Sequence, residues 1–232
     1  MNELIKKQLD ELMHDIARRN VGTDEWRWFE DQTIKLANCP EHIYLVFSQL
    51  TGKLQKKGLK LTDRDKEALQ LMMPGFQMRT WDTHRLARVR LLLKLRGLEK
   101  SRYIVVLHRL FDYADVHELV ALYGSLIFLE YPKHWRSVCA EGIRTNIGLI
   151  HEAIMYDNPY PFFYLDDGAW NQLILKAIFN NMKLDDIVGF YGRMNKSLIS
   201  SLLDYVAERK AASRSISRTV LQLLDLREKI FT

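Results

Sequence analysis

Residues 167–179 read DGAWNQLILKAIF, from Asp167 to Phe179. At about 100° per residue, Trp170, Leu173, Ile174, Ala177 and Ile178 share one side of a helix, while Leu175 and Phe179 lie on the other. A helix that is apolar nearly all round belongs inside a helical assembly. This one also carries Asn171, Gln172 and Lys176. A buried lysine must meet a carboxylate, line a cavity that holds an anion, or run its stem out to water.

Outward from this segment, apolar residues recur at three- and four-residue spacing almost throughout. The spacing predicts helices over roughly 2–19, 24–37, 41–57, 63–73, 80–96, 100–111, 115–129, 138–155, 167–181, 184–192, 195–212 and 215–230. Gly and Pro together make up only 16 of 232 residues, which argues against a sandwich or barrel of many strands. The expected fold is all-α: about twelve short antiparallel helices, arranged as a solenoid-like (HEAT- or TPR-like) array or as a compact irregular bundle. A single domain over 1–232 is expected, with residues 1–78 as an N-terminal helical extension.

The composition excludes several classes. The longest uncharged apolar run, Leu119–Leu129, is eleven residues, against about 20 for a membrane span. The start MNELIKKQLDELM lacks the apolar core of a signal peptide. These features point to a cytoplasmic protein, with the surface of the inner membrane as a peripheral location. Cys39 and Cys139 are too few for a disulfide framework or a zinc set, and no two histidines lie four apart. Phosphate-cradling glycine loops and the H-E-x-x-H and G-x-S-x-G motifs are missing, so no cofactor or metal is expected.

Charge is concentrated. Nine bases (Arg79, Arg85, Arg88, Arg90, Lys94, Arg96, Lys100, Arg102 and Arg109) and two acids fall within 79–109, so this segment carries +7 of a net +5. Such a field suits nucleic acid, an anionic membrane surface, a phosphorylated ligand or a solvated helix face. A groove reader needs its bases on one face, yet Arg90 and Lys94 point nearly opposite to Arg85 and Arg96, which argues against nucleic acid.

A second polar cluster lies between 140 and 176. In 140–154, Ile143, Ile147, Ile150 and Ile154 form one stripe, with Arg144, Gly148 and His151 opposite. A stiff aromatic loop with two prolines, 156–164, follows. The blocks AEGIRTN (140–146), NPYP (158–161) and AWNQLILKA (169–177) resemble the EboA family, as do ARVRLLLKL (87–95), LHRLF (107–111) and LVALYGSL (119–126). The resemblance spans about 80–210. It implies a bacterial gene cluster that makes or exports secondary metabolites, beside a membrane prenyltransferase, a sugar-phosphate-cyclase-like protein and hydrolase-like proteins. Its motif falls on Glu141, Arg144, Thr145, Asn146, Asn158, Pro159, Pro161, Trp170, Asn171, Gln172 and Lys176.

Two functional expectations follow. In the first, a small anionic metabolite sits in a polar interior cluster, and phosphorylated cyclitols or prenyl-linked intermediates fit the neighbouring proteins. Arg144 and Lys176 neutralise it, Asn146, Asn171 and Gln172 bond its hydroxyls, and Trp170 and Tyr160 pack on it. Glu141 or Asp167 would be the acid or base of any chemistry, and Asn158 completes the set. In the second, the chain is a non-catalytic scaffold for a pathway protein such as the membrane prenyltransferase.

Overall fold

A computed structural model describes residues 3–218, 220–221 and 223–224. Its helices are α1 (Glu3–Asn20), α2 (Thr23–Asn38), α3 (His42–Lys53), α4 (Asp63–Met72), α5 (Thr83–Leu93), α6 (Lys100–Tyr113), α7 (Val116–Gly124), α8 (Arg136–Arg144), α9 (Gly148–Met155), α10 (Tyr160–Tyr164), α11 (Asp167–Phe179) and α12 (Lys196–Ala211). Short 3-10 turns occupy Leu126–Phe128, Pro132–Trp135, Leu184–Asp186 and Tyr191–Arg193. No strand occurs among the described residues, so the all-α expectation holds. The helix expected over 215–230 lies largely outside them.

The chain wraps around α5, whose eleven residues are all buried. Helices α1, α3 and α7 pack on it, α9 packs on α7, and α8 joins α9 to α11. One hydrophobic cluster runs from Leu9 on α1 to Leu223, so residues 1–78 contribute to the same interior as the rest. Each fully buried Leu contributes about 1.5–3 kcal/mol, which makes this interior the main source of stability.

Side chains set half of the described helix starts. Thr62 and Asp65 form a capping box on α4, and Arg19 donates two hydrogen bonds of 2.8 Å to the Asp65 carboxylate from α1. Asp82, Asp115, Asp166 and Asn195 cap α5, α7, α11 and α12.

Three expected elements differ. The helix predicted over 184–192 is two 3-10 turns, Leu184–Asp186 and Tyr191–Arg193, separated at Gly189, whose φ is 76°. The helix predicted over 138–155 is broken into α8 and α9. Thr145 is extended (φ −60°, ψ 168°) and its hydroxyl donates to the Gly142 carbonyl at 2.8 Å, an alternative to the helical ladder. Gly148 therefore opens α9, and a Cβ there would meet nothing within 4 Å. The prolines of 156–164 start the short helix α10, because proline fits the first helical turn.

Two halves of the chain are tied by Arg79. It donates to both oxygens of Asp157 at 2.7 and 2.6 Å and to Asp186 at 2.7 Å, and these carboxylates hold its pKa above the usual guanidinium range. Asp157 is buried at a left-handed φ of 53°. Among the described residues, no helix is long and apolar enough to cross a membrane. Arg79→Leu leaves Asp157 buried and unpaired, so urea unfolding should report a loss of about 1–3 kcal/mol, partly restored in Arg79→Lys. An unchanged midpoint would show that the strut contributes nothing.

Candidate functional site

The basic segment is split: Arg79, Lys94, Lys100, Arg102 and Arg109 are exposed, and three of its arginines are buried. Arg85, Arg88 and Arg90 sit on α5 at 8, 1 and 1% exposure, so most of the charge on this helix points inward. Asp82 places the first turn by accepting the backbone N–H of Arg85 at 2.8 Å. From there the three guanidiniums meet different surroundings.

Arg88 is held by protein. Its Nε donates to the Phe47 carbonyl at 3.2 Å and its Nη2 to the Thr51 hydroxyl at 2.9 Å. Its guanidinium also lies over the Phe47 ring, and Glu118 stands 3.7 Å away. Arg90 lies against the neighbouring Trp26 and Phe29 rings, at 5.5 and 5.7 Å, with Glu30 at 3.9 Å. Burial pulls the pKa of both down, opposed chiefly by Glu118 for Arg88 and by Asp10 and Glu30 for Arg90. Arg96, near the end of this segment, donates to the Phe128 carbonyl at 2.8 Å and faces Glu130 at 3.6 Å.

Arg85 is different. Its side chain makes no hydrogen bond and no ion pair among the described residues; its Nε is sealed from solvent without a partner, as are Nε and Nη1 of Arg90 and Nε of Arg96, but those two guanidiniums have Glu30 and Glu130 within 4 Å. The guanidinium lies over the Trp81 indole at 4.6 Å. Burial pulls its pKa down to about 10, against the more distant attraction of Asp82 and Asp157. It is therefore still cationic at neutral pH, and the desolvation cost of the charge is present at every pH below about 10. Helix α7 leaves room for it only because residue 124 is glycine: a Cβ on Gly124 would sit 1.9 Å from the Arg85 Nη2.

Arg85 and Arg88, one turn apart, line a cavity of about 630 Å³ between α3, α5, α7 and α9. That volume suits a small metabolite. His84 stands beside them, its Nε2 donating to the Leu54 carbonyl at 2.7 Å. The mouth carries Lys56 and Asp82, 3.5 Å apart, with His117, Asp115 and Glu152 also lining the cavity. The pocket thus has an uncompensated cation within and carboxylates at its opening. Among the described residues, no three His, Cys, Asp or Glu side chains gather as a metal site.

The residues expected from the sequence lie elsewhere and do not share one cavity. Glu141 and Arg144 are exposed on α8 and pair with each other, so the expected interior position of Arg144 is corrected. Lys176 is half-buried and donates to the exposed Asn146 at 2.8 Å, so its stem reaches out to an amide rather than a carboxylate. Asn146 lines a shallower recess of about 340 Å³ on the other side of α9. There the buried His151 donates from Nε2 to the Thr145 carbonyl at 2.9 Å and accepts at Nδ1 from Asn180 at 3.0 Å.

The others brace the fold. Asn158 donates to the Ala153 carbonyl at 3.0 Å and accepts the Tyr160 N–H at 3.0 Å. The Tyr160 hydroxyl donates to the Pro132 carbonyl at 2.7 Å, and burial pushes that phenol's pKa well up. Asn171 and Asn195 exchange amide bonds of 3.1 and 2.9 Å, which fixes the cap of α12 against α11. Trp170 is buried beneath Arg193 at 4.8 Å, and Asp167 accepts from Arg193 at 2.7 Å. Gln172 is exposed.

The molecule so described is an all-α protein built around a submerged, arginine-bearing helix with a pocket at its N-terminal half. Residues 9–225 match the family model described as "Metabolite traffic protein EboA", and the chain belongs to that family. The match reaches well into the N-terminal residues, beyond the 80–210 of the sequence resemblance. No curated protein and no solved structure matches the chain.

Gly124→Ala should displace the flexible Arg85 head while the helices keep their packing. The expected result is at least a tenfold loss of phosphate affinity by calorimetry, with unfolding changed by about 1 kcal/mol or less. Full affinity in this variant would show that the position of Arg85 is immaterial.

Proposed function

We propose that this protein binds a small anionic metabolite non-covalently in the pocket over Arg85 and Arg88, as a holding component in metabolite traffic. The observation that carries the reading is Arg85: a buried guanidinium that rests on the Trp81 ring but has no hydrogen-bond acceptor and no ion pair, on the wall of a cavity large enough for a ligand. A buried charge without a counter-charge costs several kcal/mol, and an anion in the cavity offsets that cost. A guanidinium offers five donors in a planar fork that matches carboxylate or phosphate. Arg88, anchored by Phe47 and Thr51 and partly neutralised by Glu118 at 3.7 Å, lies one turn along α5 and adds donors rather than a second full charge.

The family description gives the role its setting, a metabolite in transit. Phosphorylated cyclitols and prenyl-linked intermediates are the ligands that the family's neighbours suggest. Of the exposed bases of the 79–109 segment, Arg79, Lys94 and Arg102 are paired with carboxylates, which leaves the charges of Lys100 and Arg109 for a membrane or pathway partner.

Native mass spectrometry of protein from its own cells, wild type beside Arg85→Met, tests the reading. A retained small anionic mass in the wild type that is lost in the variant is expected. A mass retained equally by both, or none in either, would overturn it in favour of a ligand-free scaffold.

A further inference from the structure

The pocket has two poles, and only one has entered the proposal. Of the side chains on its wall, Arg85 lacks a counter-ion inside, while Glu152 and Asp115 lack one at the mouth. The Glu152 carboxylate on α9 has no hydrogen bond and no ion pair among the described residues. Asp115 uses one oxygen to accept the Glu118 N–H at 2.8 Å and has no cation within ion-pair distance. The third acid, Asp82, already faces Lys56 at 3.5 Å. Within the floor, Arg88 is partly neutralised by Glu118 at 3.7 Å, which leaves one full positive charge, that of Arg85.

Resting on the anion-binding reading, we infer that the ligand is a zwitterion. A single anionic group lies on Arg85, and a cationic end, an ammonium, lies at the mouth between Glu152 and Asp115. An ammonium there gains two carboxylates that otherwise face only water. A second anionic group in the same place would meet the same two carboxylates and be repelled. The pocket so built selects for opposite charges at the two ends of a small molecule. It excludes diphosphates and other polyanions, whose charge the floor alone would attract. The selection comes from position, because the buried side is basic and the exposed side acidic.

Titration calorimetry of the full chain with three probes separates this inference from the one beneath it. The probes are methyl phosphate, phosphoethanolamine and pyrophosphate. Phosphoethanolamine should bind roughly tenfold tighter than methyl phosphate, and pyrophosphate more weakly than either. Glu152→Gln should shrink the preference for phosphoethanolamine severalfold, and Arg85→Met should remove binding of all three. Equal binding of phosphoethanolamine and methyl phosphate, or tighter binding of pyrophosphate, overturns the zwitterion while the anion-binding reading stands, provided that Arg85→Met abolishes the signal. Binding that is indifferent to Arg85, or no binding of any probe, overturns both.

Discussion

A guanidinium sealed from water must find carbonyls, carboxylates or rings nearby, or the fold carries the cost of its desolvation. Helix α5 poses that problem three times, and its neighbours are arranged around the answers. Phe47 and Thr51 on α3 hold Arg88, and on α2 Trp26 and Phe29 give Arg90 two ring faces and Glu30 gives it a distant carboxylate, although its Nε and Nη1 find no acceptor. Gly124 on α7 makes space for Arg85 but offers it no acceptor. The first two solutions explain why α2 and α3 dock where they do. The third leaves a charge without a partner beside an open cavity, which is the arrangement expected of a binding site rather than of a packing solution.

The helical architecture is legible in the apolar spacing and the scarcity of glycine and proline, and five of the twelve described helices start at an Asp, Asn or Thr cap that can be read directly. Where reading by period fails, local side-chain chemistry is responsible. Thr145 bonds back to its own helix and ends α8 inside what reads as one long stripe. A helix wheel treats Pro159 and Pro161 as turn-makers, although proline also initiates helices.

The candidate site was hidden for a geometric reason. Arg90 points away from the side of α5 that Arg85 and Arg88 share, so a wheel offers no single polar face to call a site and no apolar face to call a core. Burial of all sides at once depends on helices remote in sequence. The strongest local clue is the run Tyr123-Gly-Ser125, because a glycine near the end of an apolar helix implies close approach. Lys176 misled by the same logic in reverse: its neighbours are apolar, but its four-carbon stem carries the ammonium to Asn146 at the edge. Asn158, Tyr160 and Asn171 are buried as expected, and their hydrogen bonds are spent on holding α9, α10, α11 and α12 together. Polar residues in a family motif mark such braces as readily as they mark a ligand.

The account turns on whether Arg85 is kept at the expense of stability. Thermal unfolding of ligand-free Arg85→Met in a buffer without phosphate measures this directly. If the guanidinium is an uncompensated charge held for a ligand, the variant melts several degrees above the wild type, corresponding to about 1–4 kcal/mol, and added phosphate stabilises the wild type alone. A variant that melts below the wild type, with both responding equally to phosphate, would make Arg85 a structural residue and contradict the account.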